Sequence, residues 1–183
     1  MTHVPAPPVH PRGGTERRGT NTGNPEGHDR RTLADRRGEN NRLFVSFRLG
    51  ANHFLLPIDD VQEVQRAIAM TPVPLAPSWI AGIINLRGEI VPAIDLGLLL
   101  AGAPIGPSAM NVVVRSDDGV FSLLADEVND VIEASPTNLV PPPPHLDERL
   151  RELVRHVFRV PEALLLVLDV AGIVRYIQSN GGR

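Results

Sequence analysis

The stretch WIAGIINLRGEIVPAIDL, residues 79–96, decides the fold that we predict for this chain. Two short apolar runs, 80–86 and 90–94, flank Arg87-Gly88-Glu89 and are rich in β-branched residues. Such runs on either side of a glycine-containing turn are typical of a β-hairpin. Because both runs are so apolar, we expect the hairpin to be largely buried.

Arg87 is the only cation of this hairpin. A guanidinium group cannot lie unpaired in a dry interior, and it contributes nothing to apolar core packing. Arg87 is therefore either a surface residue whose stem lies along apolar neighbours or a contact for a partner protein. The sequence favours neither interpretation over the other.

A second hairpin precedes this one. Residues 43–49 alternate in polarity, residues 50–52 read as a turn, and residues 53–57 return as a strand. The amphipathic segment that follows predicts a short helix near 60–68. The proline-rich connector 71–77 then predicts an extended chain, because proline joins neither a helix interior nor a central strand.

An internal repeat indicates how these elements are arranged. FLLPIDDVQEV at 54–64 and FSLLADEVNDV at 121–131 align without gaps at an offset of 67 residues, and Ile90–Leu100 resembles Leu164–Val174. Two copies are too few for a solenoid. We therefore predict an all-β fold of two related small β-barrels packed against each other. Its only further helices are expected near 96–102 and 146–156.

Acidic residues in this pattern have structural explanations. Asp59 and Asp126 follow the second strand of each copy, where we expect them to cap a short helix or turn. Asp117 and Asp118 precede a glycine and predict a hairpin turn. Asp147, followed by a glutamate, opens the third helical pattern, where acids suit the helix N-terminus.

Composition argues against an enzyme. The chain has no cysteine, which excludes disulfides, thiolate catalysis and sulfur-ligated zinc. No two of its six histidines stand at metal-ligand spacing, and no nucleophile elbow, phosphate loop or dinucleotide glycine pattern is present. We therefore predict no catalytic residue, no metal site and no cofactor, and we interpret the chain as an interaction module.

The distribution of charge limits the classes of partner. Every basic residue is arginine; residues 1–40 carry seven arginines and five acids, whereas residues 41–183 carry 11 and 16. An acidic body is a poor match for nucleic acid. No apolar run approaches the roughly 20 residues that span a bilayer, and no signal pattern is visible. We expect a cytoplasmic protein that does not insert into a membrane.

Residues 1–40 are rich in Gly, Pro, Asn, Thr and Arg and almost lack bulky apolar residues. Such a segment cannot bury enough surface to offset its ordering entropy, so we predict a disordered N-terminal extension. Its three arginine pairs could tether the chain weakly to an anionic surface. The alternative is an inert solvated extension or a misassigned start.

The ordered residues resemble a known family. GIINLRGEIVPAIDL, with the preceding VQEV and TPVPLAP and the following SLLADEVNDV and LLLVLDV, is similar to CheW-type chemotaxis coupling proteins. The resemblance covers about 42–178. It implies a CheW-like domain over 41–178 made of two interlocked five-stranded SH3-like barrels, about 42–108 and 109–178, with a C-terminal tail at 179–183.

The resemblance also implies a function. Members of the family are non-catalytic adaptors that join the regulatory domain of a CheA-type histidine kinase to the cytoplasmic tips of methyl-accepting chemoreceptors. By position, the residues implied in partner binding are those of the central hairpin, of the segment after the second strand, and of the matching segment in the second copy: Arg87, Gly82, Gly88, Val61, Glu63, Val128 and Val131.

A generic small-barrel module that binds a peptide or single-stranded nucleic acid is the competing class. Barrels that bind single strands need exposed aromatic residues for stacking and a cationic groove. This chain has only one Trp, one Tyr and five Phe, and its body is acidic. A titration with single-stranded DNA at low salt distinguishes the two classes.

Limited proteolysis tests the prediction for residues 1–40. We expect trypsin to cut first at Arg17-Arg18, Arg30-Arg31 and Arg36-Arg37 and to leave a stable core whose circular dichroism matches that of the full chain. Mass spectrometry of the fragments identifies the cuts. Cleavage at these pairs no faster than within the core would show that the extension is docked.

Overall fold

The computed structural model describes residues 41–160 and 163–181. The predicted extension at 1–40 lies outside these residues. Two α-helices are seen in the described part, α1 (Glu148–Leu153) and α2 (Val170–Asn180), with a short helical segment at Gly97–Ala101 and single turns at Ile58–Asp60 and Pro136–Asn138. The strands are β1 (Arg42–Leu49), β2 (Asn52–Pro57), β3 (Val61–Gln65), β4 (Ile80–Leu86), β5 (Glu89–Asp95), β6 (Met110–Ser116), β7 (Gly119–Ala125), β8 (Glu127–Ala134), β9 (Leu139–Val140), β10 (Val154–Val160) and β11 (Ala163–Leu168).

The strands form two sheets, which confirms the predicted mainly β fold. The six-stranded sheet has the order β8-β1-β2-β11-β10-β9, and the five-stranded sheet has the order β3-β6-β7-β5-β4. Neither sheet is built from one sequence repeat alone. The strand β3 leaves the first hairpin and pairs with β6, and β8 leaves the β6–β7 hairpin and pairs with β1.

The sequence repeat is also visible in the strand order. It relates β1, β2 and β3 to β6, β7 and β8, and it relates β4 and β5 to β10 and β11. When each strand is replaced by its counterpart in the other repeat, the order β3-β6-β7-β5-β4 becomes β8-β1-β2-β11-β10. This is the order of the first five strands in the six-stranded sheet. The parallel pair β5–β7 corresponds to β11–β2, and the bridge between Thr71 and Ile83 corresponds to β9–β10. The two repeats therefore adopt the same local fold and exchange their third strands.

The main core is shared by both sheets. It includes Phe47 and Phe54, whose rings stack with centroids 5.7 Å apart, together with Leu123 and Leu168. A smaller cluster around Ile84 belongs to the five-stranded sheet, and another lies within the six-stranded sheet. Burial of these apolar side chains is the principal stabilising term for the domain.

Three helix predictions have different outcomes. The helix expected near 60–68 is wrong, because one turn leads directly into strand β3, whose backbone groups pair with β6. The helix near 96–102 is confirmed as Gly97–Ala101. The helix near 146–156 is confirmed only as the shorter α1, because the chain from Val154 onward joins β11 as strand β10.

The helix α2 was not predicted. Val170, Ile173 and Val174 are buried, a spacing that is typical of one face of a helix. The same segment aligns with the short helical segment after β5 in the repeat. The sequence therefore contained the apolar positions of this helix. The polar residues that follow them gave no indication of where the helix ends.

The predictions for the acidic residues also have different outcomes. The cap expected at Asp126 is wrong, because its carboxylate accepts a 2.7 Å hydrogen bond from the Gly50 N–H in the β1–β2 turn. Within the described residues, the turn at Ile58–Asp60 has no side-chain cap, so the expectation for Asp59 is wrong too. Asp147 caps α1 as predicted, since its carboxylate accepts from the Arg149 N–H at 3.0 Å. The hairpin turn at 117–118 is confirmed between β6 and β7.

Asp95 has a larger structural role than these. It is buried at the end of β5, and its two carboxylate oxygens accept hydrogen bonds from the backbone N–H groups of Leu98 at 3.0 Å and Ile105 at 3.2 Å. Asp169 holds the equivalent position before α2. Its carboxylate instead pairs with the exposed guanidinium of Arg175 at 3.1 Å.

We predict that Asp95→Ala lowers the free energy of unfolding by about 2–3 kcal/mol, because two partly buried N–H groups lose their acceptors. Asp169→Ala should cost less than about 1 kcal/mol, because an exposed ion pair is worth little. Urea denaturation followed by circular dichroism measures both values. Equal losses for the two variants would contradict the role given to Asp95.

Candidate protein-interaction site

The turn of the central hairpin is built from Arg87 and Gly88. Leu86 pairs with Glu89, so these two residues form a two-residue loop, and both have positive φ, +53° and +94°. Positive φ at both central positions is the mark of a type I′ turn, which matches the twist of the flanking strands. The left-handed conformation costs a residue such as arginine roughly 1 kcal/mol or more relative to glycine. The turn therefore holds Arg87 in a backbone conformation that arginine does not favour.

Arg87 forms an ion pair with Glu63. Its Nη2 atom lies 2.8 Å from Glu63 Oε2; the arginine side chain is 78% exposed and the glutamate side chain 18%. Glu63 lies on β3, at the far side of the sheet from the hairpin. Three strand spacings of a flat sheet amount to about 14 Å, farther than an arginine side chain reaches. The five-stranded sheet must therefore be curled, and the ion pair joins its two sides.

Glu63 still has capacity to accept hydrogen bonds. Its Oε2 atom accepts a second hydrogen bond, 3.0 Å long, from the side-chain amide of Gln65. Its Oε1 atom is buried and has no hydrogen-bond partner in the described part of the chain. An unsatisfied carboxylate oxygen is costly to bury, so this atom offsets part of the stabilisation that the ion pair provides.

The other hairpin residues named from the sequence have distinct positions. Gly88 is exposed, and its N–H donates to the side chain of Asn85 at 2.7 Å. Gly82 is buried, and a Cβ atom there would lie 2.6 Å from the carbonyl oxygen of Thr71. Thr71 and Ile83 exchange two backbone hydrogen bonds of 2.9 Å. Gly82 therefore allows the connector to pair with β4, which is a positioning role.

The three valines occupy two sheet edges. Val61 lies on β3, two residues before Glu63, and packs against the main core. Val128 and Val131 lie on β8 at the edge of the six-stranded sheet; Val128 packs against the core, and Val131 is 54% exposed. The structure thus brings Arg87, Gly88 and Glu63 together with Val61 nearby. It places Val128 and Val131 on the other sheet.

A separate charged cleft of about 550 Å³ lies between the two halves of the chain, lined by Arg42, Asp59, Asp60, Arg155 and His156 among others. Burial raises the pKa of the Asp60 carboxyl, and neighbouring Asp59 raises it further. Burial, followed by the positive charges of Arg155 and Arg42, lowers the pKa of His156.

Across residues 41–160 and 163–181, no three potential metal ligands lie close enough to hold an ion.

Known proteins share this architecture. Residues 43–178 match the family model described as the CheW-like domain. The chain belongs to the CheW-like domain family. This confirms the resemblance drawn from the hairpin and the repeat, and it supports a chemotaxis adaptor. In the part that the structure describes, no helix is both long and apolar enough to span a bilayer.

Individual relatives agree with this family. The probable chemotaxis protein CheW of Rhizobium etli is 26% identical over 144 residues, which cover 78% of this chain and 93% of that protein. Protein FrzA of Myxococcus xanthus is 35% identical over 117 residues, covering 63% and 72% of the two chains. The crystal structure of the scaffolding protein TtCheW from Thermoanaerobacter tengcongensis matches with a TM-score of 0.66 at 27% identity, covering 74% and 88%.

The glycines of the hairpin provide a test of the roles assigned above. Gly82→Ala should lower the free energy of unfolding by about 3 kcal/mol, because its Cβ atom would collide with the Thr71 carbonyl group. Gly88→Ala should cost only about 1 kcal/mol, because its surroundings are open and only the positive φ is unfavourable. Urea denaturation distinguishes these values, and a Gly82→Ala variant as stable as wild type would contradict the close approach.

Proposed function

We propose that this chain couples chemoreceptors to a CheA-type histidine kinase. It acts without catalysis, in the cytoplasm, at membrane-bound receptor arrays. Membership of the CheW-like family supports this proposal, as do the relatives named as chemotaxis proteins and the similar structure of a scaffolding protein. The partners are the regulatory domain of the kinase and the cytoplasmic tip of a methyl-accepting chemoreceptor.

The Arg87–Glu63 pair is the observation that carries the proposal. The ion pair occupies one guanidinium nitrogen, and the rest of the group faces solvent. Arginine has five N–H donors in a planar fork, so those that remain match a carboxylate or carbonyl group of a partner. Because the pair with Glu63 orients the side chain before binding, less conformational entropy is lost when the partner docks. We assign this surface, with Gly88 and Val61, to the kinase regulatory domain.

The receptor tip is assigned to the edge of the six-stranded sheet. Strand β8 is the outermost strand there, and Val131 offers an exposed apolar side chain on it. Val128 supports this edge from the core side. Two separate sheet edges suit an adaptor, because each partner can bind without displacing the other.

Substitution of Arg87 tests the kinase interface. Arg87→Ala should weaken binding of the kinase regulatory domain at least tenfold, because charge-assisted hydrogen bonds present only in the complex are lost. The melting temperature should hardly change, because the Arg87 guanidinium is exposed and an ion pair open to solvent on one side contributes about 1 kcal/mol or less. Arg87→Lys should recover only part of the affinity, since an ammonium group lacks the planar fork. Isothermal titration calorimetry with the cognate regulatory domain measures these affinities.

Arg175→Ala is the matched control. Its guanidinium is also exposed, 66%, and also paired with a carboxylate at 3.1 Å, but it lies on α2. This variant should bind the regulatory domain as wild type does. Unchanged affinity of Arg87→Ala would overturn the proposal, and a large fall in its melting temperature would show that Arg87 is a structural ion-pair member.

A further inference from the structure

We infer that the docking surface for the kinase regulatory domain extends along β4 to the connector, where Leu75 inserts as an apolar anchor into an uncharged pocket of that domain. This inference rests on the proposed function. It adds a second, apolar contact to the charged one at Arg87, and it names a residue that the family resemblance did not single out as a partner contact.

Leu75 occupies a tight turn in the connector. The Ala76 N–H donates to the Val73 carbonyl oxygen at 3.3 Å, Pro74 holds the second position of the turn, and Leu75 has φ +63° at the third. That third position with positive φ is typical of a type II turn, where glycine or asparagine is favoured. The chain places leucine there instead. Leu75 is 104% exposed, more than any other large apolar residue in the described part of the chain.

The fold of a repeat does not require an exposed leucine with positive φ at this position. At the offset of 67 residues that relates the two repeats, Leu75 aligns with Pro142. Proline fixes φ near −65°, so the matching segment of the second repeat is built without a left-handed residue. Pro142 is also half-buried, whereas Leu75 is fully exposed. The exposed leucine is therefore specific to the first repeat, the one that carries Arg87.

An uncharged face connects Leu75 to the hairpin. Thr71 pairs with Ile83, and Asn85 on the same strand pairs with Ile90. Residues directly opposite each other, and residues two apart on one strand, point to the same face of a sheet. Ile83 and Ile90 therefore share an outer face with Thr71, and Ile90 is 62% exposed. Val73, 40% exposed, continues that face toward Leu75.

The dimensions suit a single partner domain. The connector turn lies toward the start of β4, since the Ile80 N–H donates to the carbonyl oxygen of Pro77 at 2.9 Å, and Arg87 follows the end of the strand. Seven strand residues span about 23 Å. A stable interface buries about 800 Å² on each partner, a patch roughly 30 Å across. One folded domain can therefore cover both ends.

The chemistry of the connector defines the pocket. Residues 67–78 carry no charged side chain. A partner charge buried against them would remain unpaired, which disfavours any charged pocket. A convex turn with one projecting leucine requires a concave site, which a folded domain offers and an extended peptide does not. The three prolines of the connector, Pro72, Pro74 and Pro77, restrict the loop and so reduce the entropy lost on docking.

The experiment uses two variants that keep the turn conformation, Leu75→Asn and Leu75→Gly. Both residues tolerate positive φ, so the melting temperature should stay the same or rise. We expect each variant to bind the cognate kinase regulatory domain at least tenfold more weakly in isothermal titration calorimetry. Leu164→Thr is the control, because Leu164 is another exposed leucine, 54%, on β11 of the other sheet, and its affinity should match wild type.

The outcomes separate this inference from the proposed function. If Arg87→Ala weakens binding and the Leu75 variants do not, the anchor is overturned and the adaptor role stands. If neither weakens binding, both fail. If the Leu75 variants lose affinity for a receptor signalling fragment but not for the kinase domain, the kinase domain is not the partner that binds Leu75. The same holds if the Leu75 variants abolish self-association of the chain in sedimentation, or its binding to lipid vesicles.

Discussion

The exchange of third strands between the two repeats is the constraint on which the rest of this structure depends. Strand β3 finds its hydrogen-bond partner in β6, and β8 finds its partner in β1. Without the exchange, each hairpin would expose the backbone N–H and C=O groups that its neighbour now satisfies. The main core follows from it, because residues of both sheets become buried in one cluster. The two repeats therefore form one compact unit.

The same exchange creates the charged part of the interaction surface. Glu63 lies on the exchanged strand β3, and Arg87 lies at the tip of the hairpin across the curled sheet. A register shift between Val61 and Glu63 shows an irregularity of the ladder at this position. Such irregularities change the direction of a side chain, which suits a residue at a binding surface. The position of the guanidinium thus depends on both edges of one sheet.

Close backbone contact organises the apolar part. Gly82 admits the carbonyl group of Thr71 against β4, so the connector runs beside the hairpin instead of projecting into solvent. The connector then turns at Pro74 and presents Leu75. The glycine and the leucine have complementary roles: one lacks a side chain so that the segments can meet, and the other keeps a side chain in a conformation that disfavours it.

The sequence by itself determined the hairpins, the repeat and the mainly β class, because alternating apolar residues, turn residues and the gap-free alignment are local signals. It also indicated Arg87, since a lone cation between apolar strands is conspicuous. The partner of that cation was decided by the tertiary structure, because Glu63 meets Arg87 only after β3 has joined β6 and the sheet has curled. The same pairing made residues 61–65 a strand where the spacing of Val61 and Val64 indicated a helix. In the strand Val64 is exposed and Glu63 is half-buried, because the hydrogen bonds to β6 decide which side chains face inward.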